Sequence, residues 1–358
     1  MIALCYGTRP QVIKASVLRR VLAEVAPVQA LDTGQHYDHP LNTLLYEQIG
    51  VAPPDRFLEV GSGSHAEQTA LILTRAEAAF RSLGPSVVVV IGDTNSTLGA
   101  ALAAAKLRIP VVHVEAGLRA ADRFMAEELN RRVVDAIATL LCTPCHAATE
   151  RMRAEHPESR VVETGDVARD VLLGIEARLP NVEGIVPGLP SRYIYSTLHR
   201  AELADNPALL HGALLALGSL DLPVVLAVHP RTRQALLNAG VTGEGIGTLR
   251  LIPAVGYLES LALLRGAAAT VTDSGGLQRE AYWLGVPCVT LRAETEWRET
   301  VELGANRLVP PSRAAADLGS TLHTLLEARE QGQGWQRDAY GRGDAAGRVA
   351  AGIAELAA

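Results

Sequence analysis

A chain of 358 residues, 48% hydrophobic and 20% charged, has room for two ordinary domains with well-filled cores. Its net charge of -6 and pI near 6.0 argue against nucleic acid as the main partner, since phosphate backbones call for a basic surface, but leave room for a local cationic pocket. Four cysteines are too few for a disulfide framework, and Cys142-Thr-Pro-Cys145 lacks the second pair that completes a zinc site, so these read as buried thiols near a strand end.

In chain order, Ile2–Tyr6 reads as a buried strand that begins immediately after Met1, with no signal-peptide pattern. Val12–Glu24 reads as a helix and Ser86–Ile91 as a second strand. An Ala-rich helix from about Leu98 to Leu107 follows, then a third strand at Pro110–Val114. The pattern restarts in the second half. Tyr193–Ser196, Val224–Val228, Thr270–Thr272 and Val286–Leu291 are expected strands, with helices such as Pro207–Leu217 and Gln278–Leu284 between them. The segment from Leu179 to Pro190 is dense in Pro and Gly and reads as a linker or domain-edge loop. The longest apolar stretch, around Leu209 to Val228, is broken by His211, Asp221 and Pro223, so no membrane partner is expected and the cytoplasm is the default location. Strand–helix alternation of this kind predicts an α/β fold: two Rossmann-like, doubly wound domains with parallel sheets facing a central cleft.

The polar residues collect where such folds bind ligands, beyond the carboxyl ends of the strands. The first strand runs into Gly7-Thr-Arg-Pro-Gln11, with Lys14 one turn on. The next two run into Gly92-Asp-Thr-Asn-Ser-Thr97 and Glu115-Ala-Gly-Leu-Arg119. In the second half the ends carry His199-Arg-Ala-Glu202, His229-Pro-Arg231 and Asp273-Ser-Gly-Gly276. Asp273-Ser-Gly-Gly276 leads into a helix, where free N–H groups and the helix dipole suit a diphosphate. Glu280 lies four residues beyond Gly276, in reach of ribose hydroxyls. Neither a G-x-G-x-x-G nor a P-loop stands at a strand end, which argues against NAD or ATP. His199-Arg200 reads as a cationic clamp, supported by His229. His36, His65 and His113 have weaker claims, and no His/Asp/Glu spacing suggests a metal. Glu127 and Glu128 open a helix; they either satisfy its dipole or add Glu127 to Asp93 and Glu115 as a third carboxylate. Acids crowded in a dry cleft raise one another's pKa, which would let one hold a proton while another acts as base.

Seven ordered motifs together resemble the non-hydrolysing UDP-N-acetylglucosamine 2-epimerase family: Gly7-Thr-Arg-Pro-Gln-Val-Ile-Lys14, Gly92-Asp-Thr-Asn-Ser-Thr97, His113-Val-Glu-Ala-Gly-Leu-Arg119, Glu127-Glu-Leu-Asn-Arg131, Leu198-His-Arg-Ala-Glu202, Thr272-Asp-Ser-Gly-Gly-Leu-Gln278 and Gly285-Val-Pro287. Tyr340-Gly-x-Gly343 is similar to a further element of that family. The resemblance implies the glycosyltransferase-B fold, with one Rossmann-like domain over 1–168, a UDP-binding one over 169–340, and a C-terminal helix over 341–358 returning to the first. It implies interconversion of UDP-GlcNAc and UDP-ManNAc without NAD or metal, by elimination of UDP to a 2-acetamidoglucal and re-addition. Carried over by motif, Asp93, Glu115 and Glu127 are the acid/base carboxylates. His199 and Arg9 steady the diphosphate, with Lys14 and Arg200 nearby. Ser274, Gly275 and Gly276 hold phosphate, Glu280 the ribose, and Arg131 and His229 support. A homodimer is the family's usual state.

The chain departs from the family pattern at Gln11 (commonly Glu), at Ala126 (commonly Pro) and at Glu294-Thr-Glu-Trp297-Arg298, where a Thr-Glu-Arg-Pro is typical. These features, with Gly61-Ser-Gly-Ser-His65, resemble the branch containing UDP-2,3-diacetamido-2,3-dideoxyglucuronate 2-epimerases. Gln35-His-Tyr-Asp38 differs from the segment that binds an activating UDP-GlcNAc in allosteric members, so no such activation is expected. The competing expectations are a glycosyltransferase on the same fold and a non-catalytic UDP-sugar-binding protein.

Overall fold

The computed structural model describes residues 1–35, 46, 50–238 and 246–356. The chain divides into two compact units: Met1–Glu176 with Asp338–Ala358, and Ala177–Arg337. The sequence reading put these boundaries at 168 and 340.

Among the described residues, the first unit is built on seven parallel strands: β1 (Ile2–Tyr6), β2 (Val28–Asp32), β3 (Arg56–Phe57), β4 (Val87–Ile91), β5 (Val111–Val114), β6 (Leu140–Thr143) and β7 (Arg160–Glu163). Their order is β3-β2-β1-β4-β5-β6-β7. The central strand β4 is apolar throughout because helices cover both faces; Val87-Val-Val-Val-Ile91 is buried at every position. β1 pairs with β2 on one side (Ile2 opposite Val28) and with β4 on the other (Ile2 opposite Val87), so the winding reverses between β1 and β4.

The second unit repeats the plan with β8 (Ile194–Leu198), β9 (Val224–Val228), β10 (Leu249–Pro253), β11 (Ala269–Thr272), β12 (Cys288–Thr290) and β13 (Asn306–Leu308), in the order β10-β9-β8-β11-β12-β13. Its winding reverses between β8 and β11, where Ala269 lies opposite Ile194. Open α/β sheets bind ligands at such switch points.

Three helices begin earlier than the periodicity suggests, at Arg9, Asn95 and Gly275, and the shift has one cause. Apolar periodicity starts only where the helix meets the core, whereas the first turn is set by caps. Thr94 and Thr97 form a capping box, and the Ser274 side chain accepts from Leu277 N at 3.3 Å. The polar motifs therefore occupy first helical turns, where N–H groups point outward. The Pro/Gly-rich segment is packed at the edge of the second unit. Asn181 caps a short helix, Val182–Ile185, and Val186 is 1% exposed in a core with Tyr195 and Leu264.

The chain returns to the first unit through Tyr340 and the helix Ala345–Leu356. Tyr340 is fully buried, and its carbonyl accepts from Asp166 N at 2.9 Å. Gly165 and Gly341 both have positive φ, and a Cβ on Gly165 would lie 2.9 Å from the Tyr340 carbonyl oxygen, so this crossing tolerates no side chain. Asp170 caps the returning helix, accepting from Ala345 N and Ala346 N at 3.2 and 2.9 Å.

Candidate functional site

In the first unit the motifs meet at the β1/β4 switch point. Gly7 has no room for a Cβ, which would lie 1.9 Å from Thr33 Oγ1 and 2.2 Å from Ser96 Oγ. Gln11 stitches the two strand ends: its Oε1 accepts from Gly7 N (2.9 Å) and Thr8 N (3.2 Å), and its Nε2 donates to the Ile91 carbonyl at 2.6 Å. That last bond needs an amide, because an ionised carboxylate has no hydrogen to donate. Arg9 is half-buried in the first turn.

Asp93 follows β4 and Glu115 follows β5, on neighbouring strands. The sequence reading set these acids against one another, whereas in the structure each has a cation beside it. Lys14 Nζ donates to Glu115 Oε2, and Arg131 Nη2 to Asp93 Oδ2. Lys14 and Arg131 are themselves buried, at 6% and 3% exposure. Asn130 Nδ2 donates to the Asp93 carbonyl at 2.9 Å. Glu115 holds φ +76°, a left-handed conformation that costs a non-glycine residue roughly 1–3 kcal/mol and persists only where the surroundings enforce it.

The two helix-opening acids separate. Glu128 is fully buried and accepts from Ala120 N (2.8 Å), Arg131 Nη1 (2.6 Å) and Arg132 Nε (2.7 Å), so it has a structural part. Glu127 on the same turn is exposed. His113, given little weight in the sequence reading, is fully buried, with its Nε2 2.7 Å from the carbonyl oxygen of Gly92, the residue before Asp93. His65 Nδ1 lies 3.2 Å from Asn95 Nδ2, and Gln35 Oε1 accepts from Ser96 N at 2.9 Å. His36, Tyr37 and Asp38 lie outside the described residues.

In the second unit the organising residue is Asp273, which the sequence reading quoted without a role. At 1% exposure it accepts from His199 N (2.8 Å) and Arg200 N (2.9 Å), and its Oδ1 lies 3.3 Å from His199 Nδ1. It thereby ties the end of β8 to the turn that opens the helix Gly275–Leu284. An acid directly before Ser-Gly-Gly was the available signal. His199 is held below the ordinary imidazole range, chiefly by burial and further by Arg200 and Arg231, against the opposing pull of Asp273. The His229 ring stands 5.3 Å from that of His199.

The helix start itself is bare of side chains. A Cβ on Gly275 would sit 3.4 Å from Trp297 Nε1 and 3.7 Å from Arg200 Nη2, so an anion at these amides has a cation and an N–H donor at hand. Arg279 lies over the Trp297 ring at 3.8 Å, and Tyr257 donates to Glu280 Oε1 at 3.0 Å. Arg292 and Glu296 form a buried two-pronged pair at 2.9 and 3.2 Å. Cys5, Cys142, Cys145 and Cys288 are all buried thiols, and burial pushes Cys142 up to about 12.

Two doubly wound units of this kind, each with a polar cluster at its switch point, define the glycosyltransferase-B class. A solved calicheamicin glycosyltransferase, 15% identical over 99% of this chain and 94% of its own with a TM-score of 0.56, shares that fold alone. Residues 22–354 match the model of UDP-N-acetylglucosamine 2-epimerase, and the chain belongs to that family. A UDP-2,3-diacetamido-2,3-dideoxy-D-glucuronate 2-epimerase from Pseudomonas aeruginosa is 38% identical, covering 98% of each chain. The UDP-GlcNAc 2-epimerase of Methanocaldococcus jannaschii, solved in complex with UDP-GlcNAc and UDP, is 35% identical with a TM-score of 0.86, over 99% of this chain and 98% of its own. Among the described residues no helix is long and apolar enough to cross a membrane.

Proposed function

We propose that this chain interconverts the C2 epimers of a UDP-linked 2-acetamido sugar, UDP-GlcNAc and UDP-ManNAc. The observation that carries the reading is the pair of acids at adjacent strand ends, Asp93 and Glu115, each with a buried cation on one oxygen. The C2 hydrogen has no neighbouring carbonyl to acidify it, so the reaction needs a leaving group. A carboxylate takes the C2 proton, the C–H electrons form the C1=C2 bond, and the C1–O bond breaks to release UDP, leaving 2-acetamidoglucal. UDP then re-adds at C1 while an acid delivers a proton to the opposite face of C2. In this reading Asp93, Glu115 and Glu127 share the proton transfers. Departing UDP is stabilised by His199, Arg9 and Arg200 and by the amides at Ser274, Gly275 and Gly276, with Glu280 on the ribose. Lys14, Arg131 and His229 hold the acids and His199 in place.

A second reading, a UDP-2,3-diacetamido-2,3-dideoxyglucuronate 2-epimerase, has its own support in the 38% identity to the relative of that name. The test for both is turnover in heavy water with UDP-GlcNAc and with its 2,3-diacetamido uronate analogue, followed by NMR at C2. Deuterium at C2 together with the manno epimer is expected with one of them. Absence of exchange with either sugar, while UDP still binds, would leave a sugar-nucleotide-binding protein. A homodimer in the cytoplasm completes the proposal; a mass in light scattering equal to the 37.9 kDa chain would remove the dimer.

A further inference from the structure

We propose that His113 and Asp135 form a positioning pair that clamps the Gly92 carbonyl and so fixes how Asp93 and Glu115 present their carboxylates. The inference rests on the epimerase reading for its catalytic consequence, but its geometry stands by itself. His113 interrupts the apolar run Val111-Val-His-Val114 with a side chain that is 0% exposed, where a valine would pack at no polar cost. Its Nε2 is 2.7 Å from the Gly92 carbonyl oxygen, and its Nδ1 is 2.7 Å from Asp135 Oδ1. A carbonyl only accepts, so Nε2 carries a hydrogen. Asp135 is fully engaged as an acceptor: its Oδ2 takes Arg119 Nη1 at 2.6 Å and Gly117 N at 3.3 Å. Nε2 therefore donates to Gly92, and one hydrogen lies between Nδ1 and Asp135 Oδ1. Burial raises Asp135, but His113 and Arg119 outweigh it and hold the carboxyl below the usual range.

The clamped peptide is a sensitive one. Gly92 has φ +66° and immediately precedes Asp93, and a Cβ on it would lie 3.6 Å from Glu115 Oε2. Glu115 is itself left-handed, and its amide and that of Ala116 both donate to the Cys142 carbonyl at 3.0 Å. Two left-handed strand ends that carry the acids thus share one buried anchor, reaching from β5 to the helix Ala126–Ile137.

His113→Gln and His113→Asn separate this from simple core filling. A glutamine amide reaches the place of Nε2 and keeps the Gly92 bond; an asparagine amide reaches only the place of Nδ1. The expected result is a loss of about 10²-fold in kcat for His113→Asn with KM and UDP affinity little changed, and recovery of most of that loss in His113→Gln. Equal kcat in the two variants, or a fall in UDP affinity that matches the fall in kcat, overturns the proposal. Should His113→Asn fail to fold, 15N-histidine labelling of the wild type decides. The resonance missing from His113→Gln should carry hydrogen on Nε2, and a bare Nε2 there overturns the clamp. Failure of the epimerase reading looks different: the wild type then exchanges no C2 hydrogen in either UDP-sugar while the labelled ring still shows the Nε2 hydrogen.

Discussion

Asp93 and Glu115 illustrate how little of a side chain's chemistry resides in the residue itself. Each carboxylate has one oxygen engaged by a buried cation. Asp93→Asn and Glu115→Gln keep the shape and remove the proton-accepting oxygen, so steady-state assays should show kcat lower by about 10²-fold or more in each. Near-normal turnover in both would remove them from proton transfer. A different consequence follows for Glu296, which is buried against Arg292. Burial alone would raise its pKa, but the Arg292 hydrogen bonds and charge, helped by Arg200, bring it from 4.5 to about 2. A carboxylate lowered on folding stabilises the fold above its unfolded pKa, and that contribution fades as pH falls from 4.5 toward about 2. Glu296→Gln leaves Arg292 buried without its counter-charge and should cost about 3 kcal/mol at pH 7. In urea titrations the gap to wild type should close as pH drops through that window. A gap independent of pH would show that the pair is not what stabilises this corner.

At the scale of elements, the helices His65–Leu83 and Asn95–Lys106 pack at a glycine. A Cβ on Gly99 would lie 2.6 Å from Ile72 Cγ2 and 3.2 Å from the Leu73 amide nitrogen, so the two helices must part to admit a methyl group. Gly99→Ala should destabilise by about 1–3 kcal/mol despite its better helix propensity, measured by chemical unfolding. A gain in stability would mean that the helices accommodate the methyl. The same elements show where periodicity misleads. Arg9, Asn95 and Gly275 read as loop residues because their first turns carry polar or glycine residues that break the apolar periodicity, yet the caps Thr8, Thr94 and Ser274 were present in the sequence as helix-start signals. Short strands such as Arg56–Phe57 and Asn306–Leu308 escaped the sequence reading because two or three residues carry no detectable alternation.

For the whole molecule, the return of the chain to the first unit is the distinctive feature. Ile353 and Val349 are buried at 5% and 0% exposure, and a Cβ on Gly352 would touch Leu140 Cδ2 at 3.1 Å, on β6. Ile353→Ala should therefore cost about 2–5 kcal/mol in the first unit only. Hydrogen exchange is expected to lose protection at β6 and β7, while the strands of the second unit stay as they were; uniform loss across both units would show that they unfold together.

The sequence by itself determined the alternation of buried strands and helices, the two-unit plan, and the polar motifs that close the strands, because local runs encode strand burial and helix capping within a few residues. It also made the acids, the Asp273–Gly276 turn and the family legible through the order of those motifs. Only the tertiary structure decided which strands lie side by side, and hence that the motifs fall on the β1/β4 and β8/β11 reversals. It alone joined Lys14 to Glu115, Arg131 to Asp93, Asp273 to His199, and His113 to both Asp135 and Gly92. Those partners stand 22 to 101 residues apart apart from the nearer Gly92 contact at 21, and no periodicity spans such a gap; folding has to close the loop before the charges meet.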